Sequence, residues 1–131
     1  MIAEALVAHL VGDYLLQSHW MATEKVKRWW PALVHGAAYT LPFLLVTRSI
    51  WALLLIGGTH AVLDRYRVAK YLIWVKNLMA PRALRVAWSA ACDNGGFSAA
   101  VPAGLATALL IVTDNTMHLA INSLTLAWLG R

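Results

Sequence analysis

Sulfur and charge are both scarce in this 131-residue chain. Its single cysteine, Cys92, excludes an internal disulfide and a thiolate-rich metal site. Charged residues make up only 13% of the sequence, about half the share usual in a soluble domain. Neither a serine-nucleophile elbow nor a glycine-rich phosphate loop occurs, so any chemistry would rest on histidine and carboxylate. A basic n-region is missing too, and Glu4, His9 and Asp13 interrupt the first apolar run. That run is therefore expected to stay attached rather than to be cleaved as a signal.

What is present is apolar: 60% hydrophobic residues and seven Trp. Four apolar stretches, residues 2–20, 31–47, 49–64 and 102–129, are separated by polar turns. A bilayer core about 30 Å thick needs about 20 helical residues, with about 17 as the lower limit. The first and last stretches meet this, the second is marginal, and the third is short unless its helix runs on past Asp64. Basic side chains near span ends are retained on the cytoplasmic side, and Trp collects at the interfaces. Lys25, Lys27, Arg28, Arg65, Arg67, Lys70, Lys76, Arg82 and Arg85 fall in the two loops that would share one side, leaving Arg48 and Arg131 for the other.

The sequence thus predicts an all-α, integral membrane four-helix bundle forming one domain over residues 1–131, with both termini outside. Trp20, Trp29 and Trp30 would lie at the inner interface, Trp51 and Trp128 at the outer one. The net charge of +5 then faces anionic lipid headgroups rather than nucleic acid. Residues 68–80 place Tyr71, Leu72, Val75, Leu78 and Met79 on one helical face, as in an interfacial helix between spans three and four. Pro31 suits a first helical turn, Pro42 should kink the second span, and Gly57 and Gly58 would let helices approach closely.

Polar residues recur inside these stretches at helical spacing. His9 and Asp13 lie four apart, extended by Gln17; His60 and Asp64 lie four apart; Asp114 and His118 repeat the spacing in reverse, extended by Asn122; and His35 is followed by Tyr39. Residues four apart share one helix face. A single Asp at the centre of a membrane helix costs roughly 2.5–3.5 kcal/mol, so three uncompensated ones would cost roughly 8–10 kcal/mol. That rivals the stability of a small domain. Convergence of Asp13, Asp64 and Asp114 with His9, His35, His60 and His118 on one interior site is the economical way to compensate them.

Histidine nitrogen and aspartate oxygen suit zinc, manganese, iron or nickel. In a metal reading His9, His60 and His118 would be direct ligands and His35 a fourth ligand or proton shuttle, with Asp13, Asp64 and Asp114 as ligands or catalytic bases. A mononuclear and a dinuclear centre both stay open, as does hydrolysis of a lipid-like ester. Arg65 and Arg67 would stand near the cytoplasmic leaflet, where they either anchor topology or hold a substrate phosphate. Two other classes compete: a proton- or cation-conducting subunit, acting as a homo-oligomer or with a partner subunit, and a structural protein whose polar pairs lock helices together.

The stretches "HLVGDYLLQ", "LVHGAAY", "HAVLDRYR" and "DNTMH" resemble, in order and spacing, a bacterial and phage family of small membrane proteins, the domain-of-unknown-function family 3307. The resemblance covers nearly the whole chain. Its most specific part is the run of His9, Gly12, Asp13 and Gln17. The family commonly has a lysine where this chain has Arg67 and a glutamine where it has Asn115; both changes keep charge or amide character. The resemblance implies the fold and a bacterial inner-membrane location, and supplies no reaction. A more distant similarity, to membrane-bound metal-dependent hydrolases with His-x-x-x-Asp runs on apolar helices, is one of fold only.

Overall fold

The structure, a computed structural model, describes residues 2–130. Every regular element among them is helical. The first, α1 (Ile2–Leu10), continues into a π-helical turn over Val11–Leu15, closed by Leu16 N–H donating to Val11 O at 3.0 Å. Ser18 caps α2 (His19–Glu24) by accepting from the Met21 N–H. Next come α3 (Trp29–Thr40), α4 (Ile50–Tyr66), α5 (Val68–Asn77), α6 (Trp88–Ala91) and α7 (Ala103–Leu129).

Local chemistry explains the breaks. Pro42 cannot donate within an α-helix, and at that point α3 tightens into a 3₁₀ segment, Leu41–Leu45. Ser49 opens α4 by accepting from the Ala52 N–H. Past Tyr66, Arg67 adopts φ 49°, in the left-handed region, which ends α4 and starts α5 as a separate helix. Pro102 stands just ahead of α7, its carbonyl accepting from Ala106 N–H.

The helical content matches the sequence expectation, but the four full-length spans do not. Among the described residues, α7 is the one helix long and apolar enough to cross a membrane. The stretch expected over residues 2–20 has nine α-helical and five π-helical residues before Ser18 redirects the chain. The second has the twelve α-helical residues of α3, beginning at Trp29, and five 3₁₀ residues, and the third stops at 17. At 1.5 Å per residue, 17 residues reach about 25 Å. Arg131, expected outside, lies beyond the described residues.

The chain divides into two compact units: residues up to Tyr66 together with those from His118, and Arg67–Met117. In the first unit, α3 and α4 cross where their glycines meet. A Cβ on Gly36 would lie 2.8 Å from Gly57 O, and one on Gly57 would run into the Thr40 hydroxyl. Gly58, by contrast, meets nothing within 4 Å. A small apolar core of Ala5, Ala8, Tyr39, Phe43, Leu53, Ile56 and Leu126 fills one end of this unit. Thr47 donates to Gly130 O at 2.9 Å, tying down the segment after α7.

In the second unit, Ala69 and Ile73 of α5 are buried while Tyr71, Leu72, Val75 and Met79 are exposed. Trp74 donates its indole N–H to Val86 O at 2.9 Å, and Tyr71 stacks on Trp88. Gly96, at φ 91°, lies so close over the Lys70 carbonyl that no Cβ would fit.

Candidate metal centre

Four side chains from three segments of the first unit converge: Asp13 on the π turn, His35 on α3, and His60 and Asp64 one turn apart on α4. One ligand atom from each lies within 4.8 Å of all the others, and all four residues are buried. His35 Nε2 is 3.2 Å from Asp13 Oδ1 and 3.2 Å from Asp64 Oδ2. His60 Nε2 is 3.3 Å from Asp13 Oδ1 and 3.1 Å from Asp64 Oδ2. The two Nε2 atoms are 2.9 Å apart. This set could hold a metal ion.

The backbone delivers Asp13 by an unusual route. A π turn accommodates an extra residue and re-aims the following side chains, and such turns are frequent at functional sites. Here the turn sits against Tyr39 so tightly that a Cβ on Gly12 would stand 2.7 Å from the Tyr39 ring and 2.9 Å from its carbonyl. Glycine at position 12 is therefore what lets the neighbouring carboxylate reach His35.

Two of the other expected residues, His9 and His118, lie around this quartet. His9 Nδ1 is 3.7 Å from Asp13 Oδ2 and 2.8 Å from the Tyr39 hydroxyl. Asn122 donates to that hydroxyl at 2.6 Å. His118 Nε2 is 3.6 Å from Asp64 Oδ1, and its ring centroid is 4.2 Å from that of His60. Of the three histidines expected as direct ligands, His60 is in the quartet, while His9 and His118 flank it; His35 completes it. Asp114 stands on α7 one turn before His118, half-buried.

Sequence reasoning placed Tyr39 one turn beyond His35 without giving it a role, and counted Lys25 only among the loop cations. Tyr39 is fully buried, and its ring stacks on His60 with centroids 3.6 Å apart and planes 11° from parallel. The signal was its i+4 relation to His35. Lys25 Nζ donates to Asp64 Oδ2 at 2.6 Å and to Gln17 Oε1 at 2.5 Å. This gives Gln17 a specific role: it aims the ammonium. Lys25 had only its place in a loop to mark it, because the contact with Asp64 spans 39 positions.

Arg65 lies differently from an open anion site. Its guanidinium donates to Val26 O at 2.7 Å and Lys27 O at 3.2 Å, clamping the turn that follows Lys25. Arg67 lines a small polar cavity of about 150 Å³ in the second unit with Lys70 and Asp93. Glu24, although adjacent to Lys25, turns outward; the Lys27 ammonium 2.8 Å away holds its carboxyl below the usual range.

Nδ1 of His35 and Nδ1 of His60 are buried and have no hydrogen-bond partner.

No curated protein and no solved structure matches the chain. The family described as "Protein of unknown function (DUF3307)" matches residues 1–88, the segment that contributes Asp13, His35, His60 and Asp64, and the chain belongs to that family.

Proposed function

We propose that this chain is a membrane-embedded protein that holds one divalent transition-metal ion on Asp13, His35, His60 and Asp64 and uses it to hydrolyse a lipid-like ester. The spacing of the four ligand atoms carries the reading. A tetrahedral ion with bonds of about 2.0–2.1 Å has ligand atoms about 3.3 Å apart. Five of the quartet's separations run from 2.9 to 3.3 Å. Two nitrogens and two oxygens suit zinc, manganese, iron or nickel.

Embedding is supported by an inverted distribution of polarity. His9, Asp13, His35, His60, Asp64, His118 and Asn122 are buried, whereas Leu15, Leu45, Trp51 and Trp128 are each at least 70% exposed. Buried polar groups beneath an apolar exterior suit lipid as solvent. In that setting the basic turns would meet anionic headgroups. Four protein ligands close a tetrahedral ion, so activating a water and polarising an ester oxygen would draw on a fifth coordination position.

The test is metal content. Protein purified in mild detergent, without chelators or a metal-binding tag, should carry about one equivalent of a transition metal by elemental analysis, lost in the double variant His35→Ala, His60→Ala. Folded wild-type protein that takes up no zinc, manganese, iron or nickel would overturn the reading. A loaded protein should then cleave lipid phosphoesters.

A second reading, proton or cation conduction, draws on the solitary Nδ1 atoms of His35 and His60. Metal-bound histidines ordinarily donate their other ring N–H to an acceptor. Dissipation of a proton gradient in liposomes by metal-free protein would favour this reading; intact gradients would count against it.

A further inference from the structure

Lys25 makes the same atom a shared one. Asp64 Oδ2 is the oxygen that completes the quartet, lying 3.1 Å from His60 Nε2 and 3.2 Å from His35 Nε2. It also accepts from the Lys25 ammonium at 2.6 Å. An ion bound to that oxygen would stand within about 5 Å of the ammonium nitrogen. Two cations so close repel strongly in a buried site.

The ammonium cannot easily withdraw. Its side chain is only 15% exposed, Gln17 Oε1 holds it from the other side, and Arg65 clamps the carbonyls of Val26 and Lys27 immediately after it. Asp64 Oδ2 already bridges the two, but the carboxylates of Asp13 and Asp64 offset only two of the three positive charges of a divalent ion and the ammonium, and an anionic oxygen touching both cations would offset the third.

We infer that Lys25 and the bound ion together form an anion subsite, and that the ligand it takes carries an anionic oxygen of the phosphate or carboxylate class. This rests on the metal reading above and assigns its substrate a charge. Lys25 binds the anion, and Gln17 is a positioning residue that keeps the ammonium on Asp64. Arg65, engaged with backbone, contributes by fixing the turn.

Reciprocal binding tests the inference on the wild-type protein. In detergent-solubilised protein, inorganic phosphate should tighten manganese binding, and manganese should tighten phosphate binding by the same factor, about fivefold or more. Phosphorus relaxation reports whether the phosphate sits beside the manganese. In Lys25→Met, manganese should bind at least as tightly as before, because a competing cation is gone, while phosphate binding weakens about tenfold. A merely structural lysine would weaken both together. Lys25→Arg should restore phosphate binding in large part.

Dihexanoyl phosphatidic acid in place of inorganic phosphate separates the sources: tighter binding of the lipid identifies a headgroup, equal binding a free phosphate, and either supports the subsite. Manganese bound with no effect of phosphate, or phosphate binding unchanged in Lys25→Met, overturns the subsite and leaves the metal reading standing. Wild-type protein that binds none of manganese, zinc, iron and nickel overturns the metal reading itself, and the subsite with it.

Discussion

Both units of this chain bury apolar side chains, but among the described residues the first alone also buries titratable ones. In the unit running to Tyr66 and resuming at His118, the interior holds His9, Asp13, His35, Thr47, His60, Asp64, His118, Asn122 and Thr125. In the unit Arg67–Met117, the buried residues are Ala69, Ile73, Gly96, Ala91 and Ala106. The second is an ordinary small interior, organised by aromatic stacking and a glycine turn. The first places titratable groups where desolvation is most costly, so each must be compensated by a neighbour. For the buried titratable residues of the first unit, contribution to stability and contribution to the candidate centre should therefore coincide, whereas in the second unit the two should separate.

Asp64 should show the largest coincidence. It meets His35, His60, His118 and Lys25, and its loss strands the Lys25 ammonium. Removing one partner of a buried ion pair costs about 3–5 kcal/mol. Asp64→Ala should thus lower the unfolding midpoint in detergent more than any other single change considered, and should also abolish metal uptake. Adding Lys25→Met should recover a large part of the stability and none of the metal. A double variant no more stable than Asp64→Ala would mean that the pair is not what the carboxylate compensates.

Ile73→Ala should separate the two properties. The side chain is fully buried in the second unit, beside Gly96. Truncation should cost about 2–5 kcal/mol, with metal per folded chain unchanged. Loss of metal from the folded fraction would break the proposed division of labour.

How far this division could be read in advance follows from which contacts are local. Spacing of four residues put His60 over Asp64 and Gln17 beyond Asp13, and the apolar stretches marked where helices lie; those relations are set within one element. The exact partners were not local. Nothing in "LVGDYLL" announces a π turn, because the extra residue is held by packing of Gly12 against Tyr39, 27 positions away and also the hydrogen-bond partner of His9. Lys25 reads as one more basic loop residue until a short capped helix carries it back to Asp64. Arg65 reads as either a topology anchor or a phosphate holder until its donors are found on the carbonyls of Val26 and Lys27. Helix lengths failed for a related reason: hydropathy ignores the Ser18 cap and the backbone strain at Arg67 that stop helices within apolar or basic sequence.

Among the glycines of the first unit, position alone should decide the sign of a substitution. Gly12→Ala introduces a Cβ against both the ring and the backbone of Tyr39, neither of which can retreat without disturbing its stack on His60. Overpacking of this kind costs about 1–3 kcal/mol, and the shift it forces moves Asp13 away from His35, so metal affinity should fall with stability. Gly58→Ala, on α4 only two residues before His60, meets nothing within 4 Å. There the substitution should stabilise by up to about 1 kcal/mol through helix propensity and leave metal binding as it was. Thermal unfolding and metal titration of the two variants, side by side, read out both quantities. If Gly12→Ala kept full metal affinity while losing stability, the π turn would be a packing device only, and the route that brings Asp13 to His35 would have to be assigned to α3 instead.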